Sequence, residues 1–157
     1  GLVWVWLSKK RLEPNSGLKF GLGFFFLGLG FYIFYTTVHF ATAAGLTSLE
    51  IFTLAYLVIT FGELCLSPIG LSLMTKLAPM RMQGLMMGMW FLASGYGHYV
   101  AGVLGKGMSL PDESASAFDK LVAFTDGYKE LAIYAVICGV VLVLLSPVIK
   151  KLMGNTK

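Results

Sequence analysis

Residues 51–74 of the chain read IFTLAYLVITFGELCLSPIGLSLM, an apolar run with one charged residue, Glu63, near its centre. The run is long enough to cross a bilayer as a helix, which needs about 20 mostly apolar residues. A carboxylate at the centre of such a helix costs about 2.5–3.5 kcal/mol on insertion scales, so it is functional by default. Glu63 is therefore predicted to line a cargo-binding cavity. The alternative is a structural glutamate paired with a cation on a helix that is missing from this chain.

Polar residues in this run recur at helical spacing. At about 100° per residue, a stripe roughly 80° wide contains Tyr56, Thr60, Glu63, Ser67 and Gly70. The other faces of the helix are apolar. A polar stripe on a spanning helix must face protein or water, because lipid cannot satisfy its polar groups. Tyr56, Thr60 and Ser67 are therefore predicted to bind substrate together with Glu63.

The same helix is predicted to bend near Glu63. Pro68 has no N–H, so the carbonyl of Leu64 loses its helical partner there. Gly62 and Gly70 lie on either side of this position. A bend about one turn from a buried charge suits a gate that moves around a site, and Pro68, Gly62 and Gly70 are the predicted gating residues. Prolines are also tolerated in static spanning helices, which is the alternative.

Three further long apolar runs flank this one. The chain is 57% hydrophobic and 13% charged, against roughly 25% charged residues in ordinary soluble domains. The pattern predicts an all-α membrane protein whose helices span 18–38, 51–74, 84–105 and 128–149, with an external loop at 106–127. An apolar stub at 2–7 and a first residue that is not Met indicate the end of a fifth helix of a longer chain. Residues 112–125 are expected to form a short amphipathic helix or a mobile loop.

Basic residues alternate along the chain. They occur before the first predicted helix, between the second and third, and after the fourth, while the loop between the first two helices has none. The positive-inside rule then places the C-terminus in the cytoplasm. Basic residues at helix ends, without interleaved aromatic residues, do not indicate nucleic-acid binding.

Cofactor sites and catalytic motifs are not evident in the sequence. His39 and His98 have no second ligand at helical spacing, and Cys65 and Cys138 lie inside apolar runs. We expect no metal, no cofactor and no enzymatic activity.

The third predicted helix has two distinct faces. One face carries small residues that allow close helix approach, namely Gly84, Gly88, Gly95 and Gly102. Trp90 and Ser94 lie on the other face, and Trp90 is deeper than a headgroup anchor usually sits. Trp90 is interpreted as a site residue or, alternatively, as a packed aromatic. The first and fourth helices have no comparable polar stripe, so they are expected to be peripheral and lipid-facing.

Three stretches resemble the proton-coupled oligopeptide transporter family of the major facilitator superfamily. They read GELCLSPIGLS at 62–72, KLAP at 76–79 and GLMMGMWFL at 84–92. The resemblance implies that residues 1–157 belong to the C-terminal part of a major-facilitator-type bundle, the stub ending the eighth helix and the four runs forming the ninth to twelfth. His98 departs from the asparagine of many members, and the family's proton-coupling residues on the first helix lie outside this chain.

The resemblance also implies roles for single residues. Glu63 matches the glutamate that holds the amino group of a di- or tripeptide, and Ser67 matches the serine one turn further. Trp90 and Phe91 match aromatic pocket residues, with Ser94 nearby.

The function implied is proton-coupled uptake of di- and tripeptides by a secondary active transporter in a bacterial inner membrane. Its partners are a small peptide, protons, the lipid bilayer and the N-terminal helices of the same protein. One alternative is the same fold carrying nitrate, a drug or a conjugate, although Glu63 argues against an anionic cargo. The other is a non-transporting membrane subunit.

Overall fold

The computed structural model describes residues 15–42, 44–109 and 115–153. The apolar stub at 2–7, predicted to end a fifth helix, lies outside these residues. The described chain consists of four long helices and two short 3-10 turns, Thr37–Phe40 and Met80–Met82. The long helices are α1 (Ser16–Thr36), α2 (Leu49–Leu77), α3 (Gln83–Met108) and α4 (Ala117–Met153).

Helix α1 packs between α2 and α4, and its glycines face both neighbours. On the α4 side, a Cβ added at Gly21 would lie 2.6 Å from Cγ2 of Val143. On the α2 side, a Cβ at Gly23 would lie 2.6 Å from Cγ of Leu66. Small residues at both contacts let the backbones approach closely, which is how helices associate where lipid is as apolar as the side chains. Glycines of α1 therefore form its contacts with both neighbouring helices.

A third face of α1 remains exposed. Leu22, Phe26, Leu29 and Tyr32 recur at helical spacing, with Tyr32 53% exposed. The stripe is an exposed apolar surface, and that it faces lipid stays a prediction. The sequence did not indicate that the other two faces of α1 pack so tightly.

Helix α4 begins at Ala117, well before the predicted start at residue 128. The reason is a helix cap at Ser116. Its Oγ accepts a hydrogen bond from the Asp119 N–H at 3.1 Å, and its hydroxyl donates to Oδ2 of Asp119 at 2.6 Å. The cap satisfies the Asp119 N–H, one of the N–H groups that the first helical turn leaves unpaired. Residues 117–125 are thus helical and continuous with α4, and the connection from α3 is shorter than the predicted loop at 106–127.

Specific contacts tie α1 to its neighbours at both ends. Near its C-terminal end, the Phe34 ring lies 5.0 Å from those of Phe52 and Tyr128, centroid to centroid, and 5.9 Å from Tyr56. At its start, Asn15 Oδ1 accepts the Leu18 N–H at 2.8 Å. The same oxygen accepts the hydroxyl of Ser146 on α4 at 2.7 Å. Aromatic packing at one end of α1 and hydrogen bonding at its other end hold α2 and α4 against it.

Within the described residues, three segments are long and apolar enough to cross a membrane: Ser16–Phe40, Leu49–Lys76 and Ala117–Lys151. Helix α3 has 26 residues, and a helix of this length extends about 39 Å. It is long enough to span, but its many glycines and its Ser94 and His98 make it less apolar. None of its residues is buried within the described chain. A Cβ at Gly84, Gly88, Gly95 or Gly102 would meet no atom within 4 Å.

Candidate functional site

Helix α2 presents its predicted polar stripe away from α1. The side that contacts α1 carries Ala55 and Gly62, both buried. About a third of a turn around the helix lie Tyr56, Thr60, Glu63 and Ser67, which are all exposed. The four side chains predicted to bind substrate on this helix therefore share one exposed face, which reaches α1 at Tyr56, whose ring lies 5.9 Å from that of Phe34.

An open groove runs beside this stripe on α2. Its volume is about 370 Å³, and its lining is Thr53, Tyr56, Leu57, Thr60, Phe61 and Leu64. Two predicted site residues, Tyr56 and Thr60, are thus groove residues. All six lining residues belong to α2, so the groove is one wall of a site whose other walls would come from further helices.

The site hydroxyls are oriented by their own helices. Thr60 donates its hydroxyl hydrogen to the carbonyl of Tyr56 at 2.9 Å. Ser94 donates in the same way to the carbonyl of Trp90 at 3.0 Å. Because these hydrogens are already used, the oxygens offer lone pairs to a ligand, and an ionised Glu63 can only accept. Glu63, Thr60 and Ser94 thus offer acceptors to a ligand, while the hydroxyls of Tyr56 and Ser67 can also donate.

Glu63 makes no ion pair with any residue in 15–42, 44–109 or 115–153. The cation that a purely structural Glu63 would require therefore has to come from outside these residues, which is where that alternative places it. A carboxylate that loses water without gaining a partner is strongly disfavoured. A cationic group that reaches Glu63 from outside the described helices would satisfy it.

Trp90 of α3 lies against α2 at Gly70. A Cβ added at Gly70 would lie 2.6 Å from Cζ3 and 2.7 Å from Cζ2 of the indole. Gly70 is buried and Trp90 half-buried, so the ring occupies the space that a side chain at position 70 would need. Gly70 therefore departs from the exposed stripe to which its spacing assigned it. Trp90 does pack, as one of its two interpretations held, and it does so on the helix that carries Glu63.

The other predicted pocket residues on α3 are more open. Phe91 is 62% exposed and lies about 100° around α3 from Trp90. Ser94, one turn beyond Trp90, is exposed on nearly the same face as the indole. The structure thus brings Trp90 to α2 through a direct contact with Gly70, and it leaves Phe91 on a different face of α3.

The predicted gating residues have different surroundings. A Cβ at Gly62 would lie 2.9 Å from the carbonyl oxygen of Gly23 and 3.2 Å from the nitrogen of Leu27. Gly62 therefore forms the close crossing of α2 with α1. Pro68 is exposed, and α2 continues as helix on both sides of it. The packing of Gly62 against α1 was not predicted from the sequence. The only signal for this contact is the set of glycines on α1, which would have had to be identified as the partners of Gly62.

Comparisons with known proteins show which family the chain resembles. The family model described as "PTR2: POT family" matches residues 2–121. The peptide transporter YePEPT of Yersinia enterocolitica is 39% identical over 98% of this chain and 29% of its own length. The dipeptide and tripeptide permease B of Aeromonas hydrophila is 30% identical over 97% of the chain and 30% of its own length. The chain spans less than a third of these relatives.

Solved structures give the same assignment. One, concerned with substrate recognition in proton dependent oligopeptide transporters, superimposes with a TM-score of 0.71 at 29% identity, over 95% of this chain and 32% of its own. Another, a bacterial homologue of the human drug peptide transporters PepT1 and PepT2, superimposes with a TM-score of 0.72 at 28% identity. The match covers 96% of this chain and 31% of that structure's chain. The predicted fold class, a major-facilitator-type helix bundle, is confirmed. The chain belongs to the POT family, the proton-coupled oligopeptide transporters.

Proposed function

We propose that this chain forms the C-terminal helices of a proton-coupled importer of di- and tripeptides, and that Glu63 binds the amino terminus of the peptide. The observation that carries the proposal is the exposure of Glu63 on a polar stripe beside the groove on α2. The relatives named as peptide transporter and as dipeptide and tripeptide permease support the same cargo.

The chemistry of the stripe matches a peptide's amino end. A peptide α-ammonium that leaves water needs a carboxylate partner, and its amide N–H groups need acceptors. Glu63 supplies the carboxylate, while the Thr60 oxygen supplies an acceptor because its hydrogen is bonded to Tyr56. Apolar groove residues such as Leu57 and Phe61 tolerate varied side chains. An anionic cargo such as nitrate would require a cation where Glu63 stands.

The charges of the chain fix a proposed orientation. Lys76 and Arg81 lie between α2 and α3, and Lys150 and Lys151 lie at the end of α4. With these residues on the cytoplasmic side, the C-terminus is cytoplasmic and the protein resides in the bacterial inner membrane. The remaining helices of the transporter then supply the proton-coupling groups and a cation for the peptide carboxylate. Alternating access requires both halves of such a bundle.

Three residues are proposed to serve the gate. Pro68 interrupts the hydrogen-bond ladder of α2 between Glu63 and the cytoplasmic loop, which gives the helix a place to bend. Gly62 and Gly70, on either side, are contact points with α1 and α3. Bending at Pro68 would therefore move α3 relative to α1 while Glu63 keeps its position.

Peptide uptake by the full-length transporter tests the role of Glu63. The protein is reconstituted in liposomes, an inward proton gradient is imposed, and labelled dialanine is followed. Glu63→Gln should reduce uptake about tenfold or more, because an amide cannot neutralise the ammonium and a hydrogen bond to a charged group is worth about 1.5–3 kcal/mol. Glu50→Gln is the matched control, since Glu50 is exposed in the first turn of the same helix. Unchanged uptake by Glu63→Gln would refute the assigned role.

A further inference from the structure

At the contact between Trp90 and Gly70, the indole occupies the space that a side chain at position 70 would fill. This position of the ring against α2 is called the seat. The three atoms nearest to a Cβ at position 70 are Cη2, Cζ3 and Cζ2, which all belong to the six-membered ring of the indole. Real Cβ contacts below 3.0 Å essentially never occur, and here two atoms lie at 2.6 and 2.7 Å. Any residue other than glycine at position 70 would displace the far end of the indole from α2.

The seat is also placed along the path from Glu63 to the cytoplasmic loop. Gly70 follows Glu63 by two helical turns, which is about 10.5 Å along α2. An extended tripeptide measures at most about 10–11 Å and a dipeptide about 7 Å. A tripeptide whose amino end is at Glu63 and whose chain follows α2 toward the cytoplasm would therefore reach the indole. A dipeptide in the same direction would end about one turn earlier.

We propose that Gly70 is a positioning residue, which seats the Trp90 indole against α2 so that the ring closes the peptide site on its cytoplasmic side and limits peptide length. The proposal rests on the proposed function, since it assumes that Glu63 anchors the amino end. It gives the glycine a role different from flexibility, because the absence of a side chain is what the contact requires. Trp90 then contacts substrate directly, whereas Gly70 acts through Trp90.

Substitutions at the two positions have opposite expected effects. Gly70→Ala pushes the indole away from α2 by roughly 1 Å or more, since ordinary contacts begin near 3.4 Å. The space beyond Glu63 shortens, and tripeptides lose more affinity than dipeptides. Trp90→Phe removes the ring that occupies the seat, so the space lengthens and the preference moves toward tripeptides. In the double variant the smaller ring clears the new methyl group, and the ratio should return toward that of the wild type.

The experiment measures KM for dialanine and for trialanine with the full-length transporter in liposomes. We expect Gly70→Ala to raise the trialanine-to-dialanine KM ratio about three- to tenfold, at or below the effect of one methylene in an apolar pocket. Trp90→Phe should lower the ratio, and the double variant should restore it. Gly107→Ala is the matched control, because a Cβ there meets no atom of the described residues within 4 Å and Gly107 lies off both the small-residue face and the Trp90 face of α3. The proposal is overturned if Gly70→Ala leaves the trialanine-to-dialanine KM ratio unchanged. It is also overturned if adding Trp90→Phe to Gly70→Ala does not restore the ratio.

Two further readouts separate the possible failures. If Gly70→Ala does not assemble, Trp90→Phe alone still decides, because an unchanged ratio in that variant contradicts the length-limiting role. The emission of Trp90, taken as the difference between each protein and its Trp90→Phe counterpart, should shift in Gly70→Ala. An unshifted emission refutes the seat. Wild-type protein that takes up neither peptide refutes the proposed function itself, whereas uptake with unchanged ratios refutes only this inference.

Discussion

Substitution of Gly62 by alanine tests the packing of α2 on α1. The added Cβ would lie 2.9 Å from the carbonyl oxygen of Gly23 and 3.2 Å from the backbone nitrogen of Leu27. Both neighbours are backbone atoms, so no rotamer change can relieve the contact. The helices would have to separate locally by about 0.5 Å, since ordinary contacts begin near 3.4 Å. Overpacking of this kind costs about 1–3 kcal/mol.

A gain in helix propensity opposes this cost. Alanine is favoured over glycine inside a helix by about 1 kcal/mol, so the net change at Gly62 is smaller than the steric cost alone. Gly107→Ala also replaces a helical glycine, but it introduces no contact within 4 Å in the described residues and lies off the small-residue face of α3. The difference between the two variants therefore isolates the helix crossing, and it should equal the steric cost of about 1–3 kcal/mol.

Thermal unfolding of the full-length protein in detergent measures this difference. We expect the unfolding midpoint of Gly62→Ala to lie about 1–3 °C below that of Gly107→Ala, since the full-length relatives are about three times as long as this chain and the entropy of unfolding grows with length. Equal midpoints would refute the close crossing of α1 and α2. A loss of peptide uptake with an unchanged midpoint would instead favour the gating role predicted for Gly62 from its position near Pro68.

Two other predictions concern the ends of the bundle. Asn15→Ala should cost about 1 kcal/mol or more and Ser146→Ala less, because Asn15 both caps α1 and accepts the Ser146 hydroxyl. Unfolding midpoints of both single variants and the double variant should show non-additive losses, and strict additivity would argue against the shared hydrogen bond. Phe34→Ala should destabilise the protein by about 3 kcal/mol, because Phe34 is 6% exposed at the centre of the aromatic cluster. A midpoint as high as that of Tyr32→Ala, which alters an exposed ring on the same helix, would contradict this.

The polar face of α2 could be predicted because its signal lies within one helix. An expensive charge at Glu63 and the spacing of Tyr56, Thr60 and Ser67 define a direction without reference to any other helix. The structure exposes all four side chains on one face. The limits of α4 could be predicted less well, since the Ser116 cap is a local signal that lies in a polar stretch resembling a loop.

Contacts between helices could not be derived from spacing alone. Gly70 falls on the polar stripe by angle, but its burial depends on Trp90, a residue of another helix. Gly23 and Gly62 meet at a crossing, yet neither sequence position identifies the other. In both pairs the informative property is a missing side chain, which gives no hydrophobic pattern to detect. Pairing of small residues across helices requires the relative position of the helices, which only the structure provides.

The central claim is that Glu63 recognises a free peptide amino group, and a competition experiment tests it most directly. Dialanine and N-acetyl-dialanine compete for uptake of a labelled peptide by the wild-type transporter and by a Glu63→Gln variant that retains measurable uptake. The wild type should prefer dialanine about tenfold or more, because acetylation removes the charge that pairs with Glu63. The preference should largely disappear in Glu63→Gln. A variant that keeps the full preference for the free amine would contradict the claim, since another group would then recognise it.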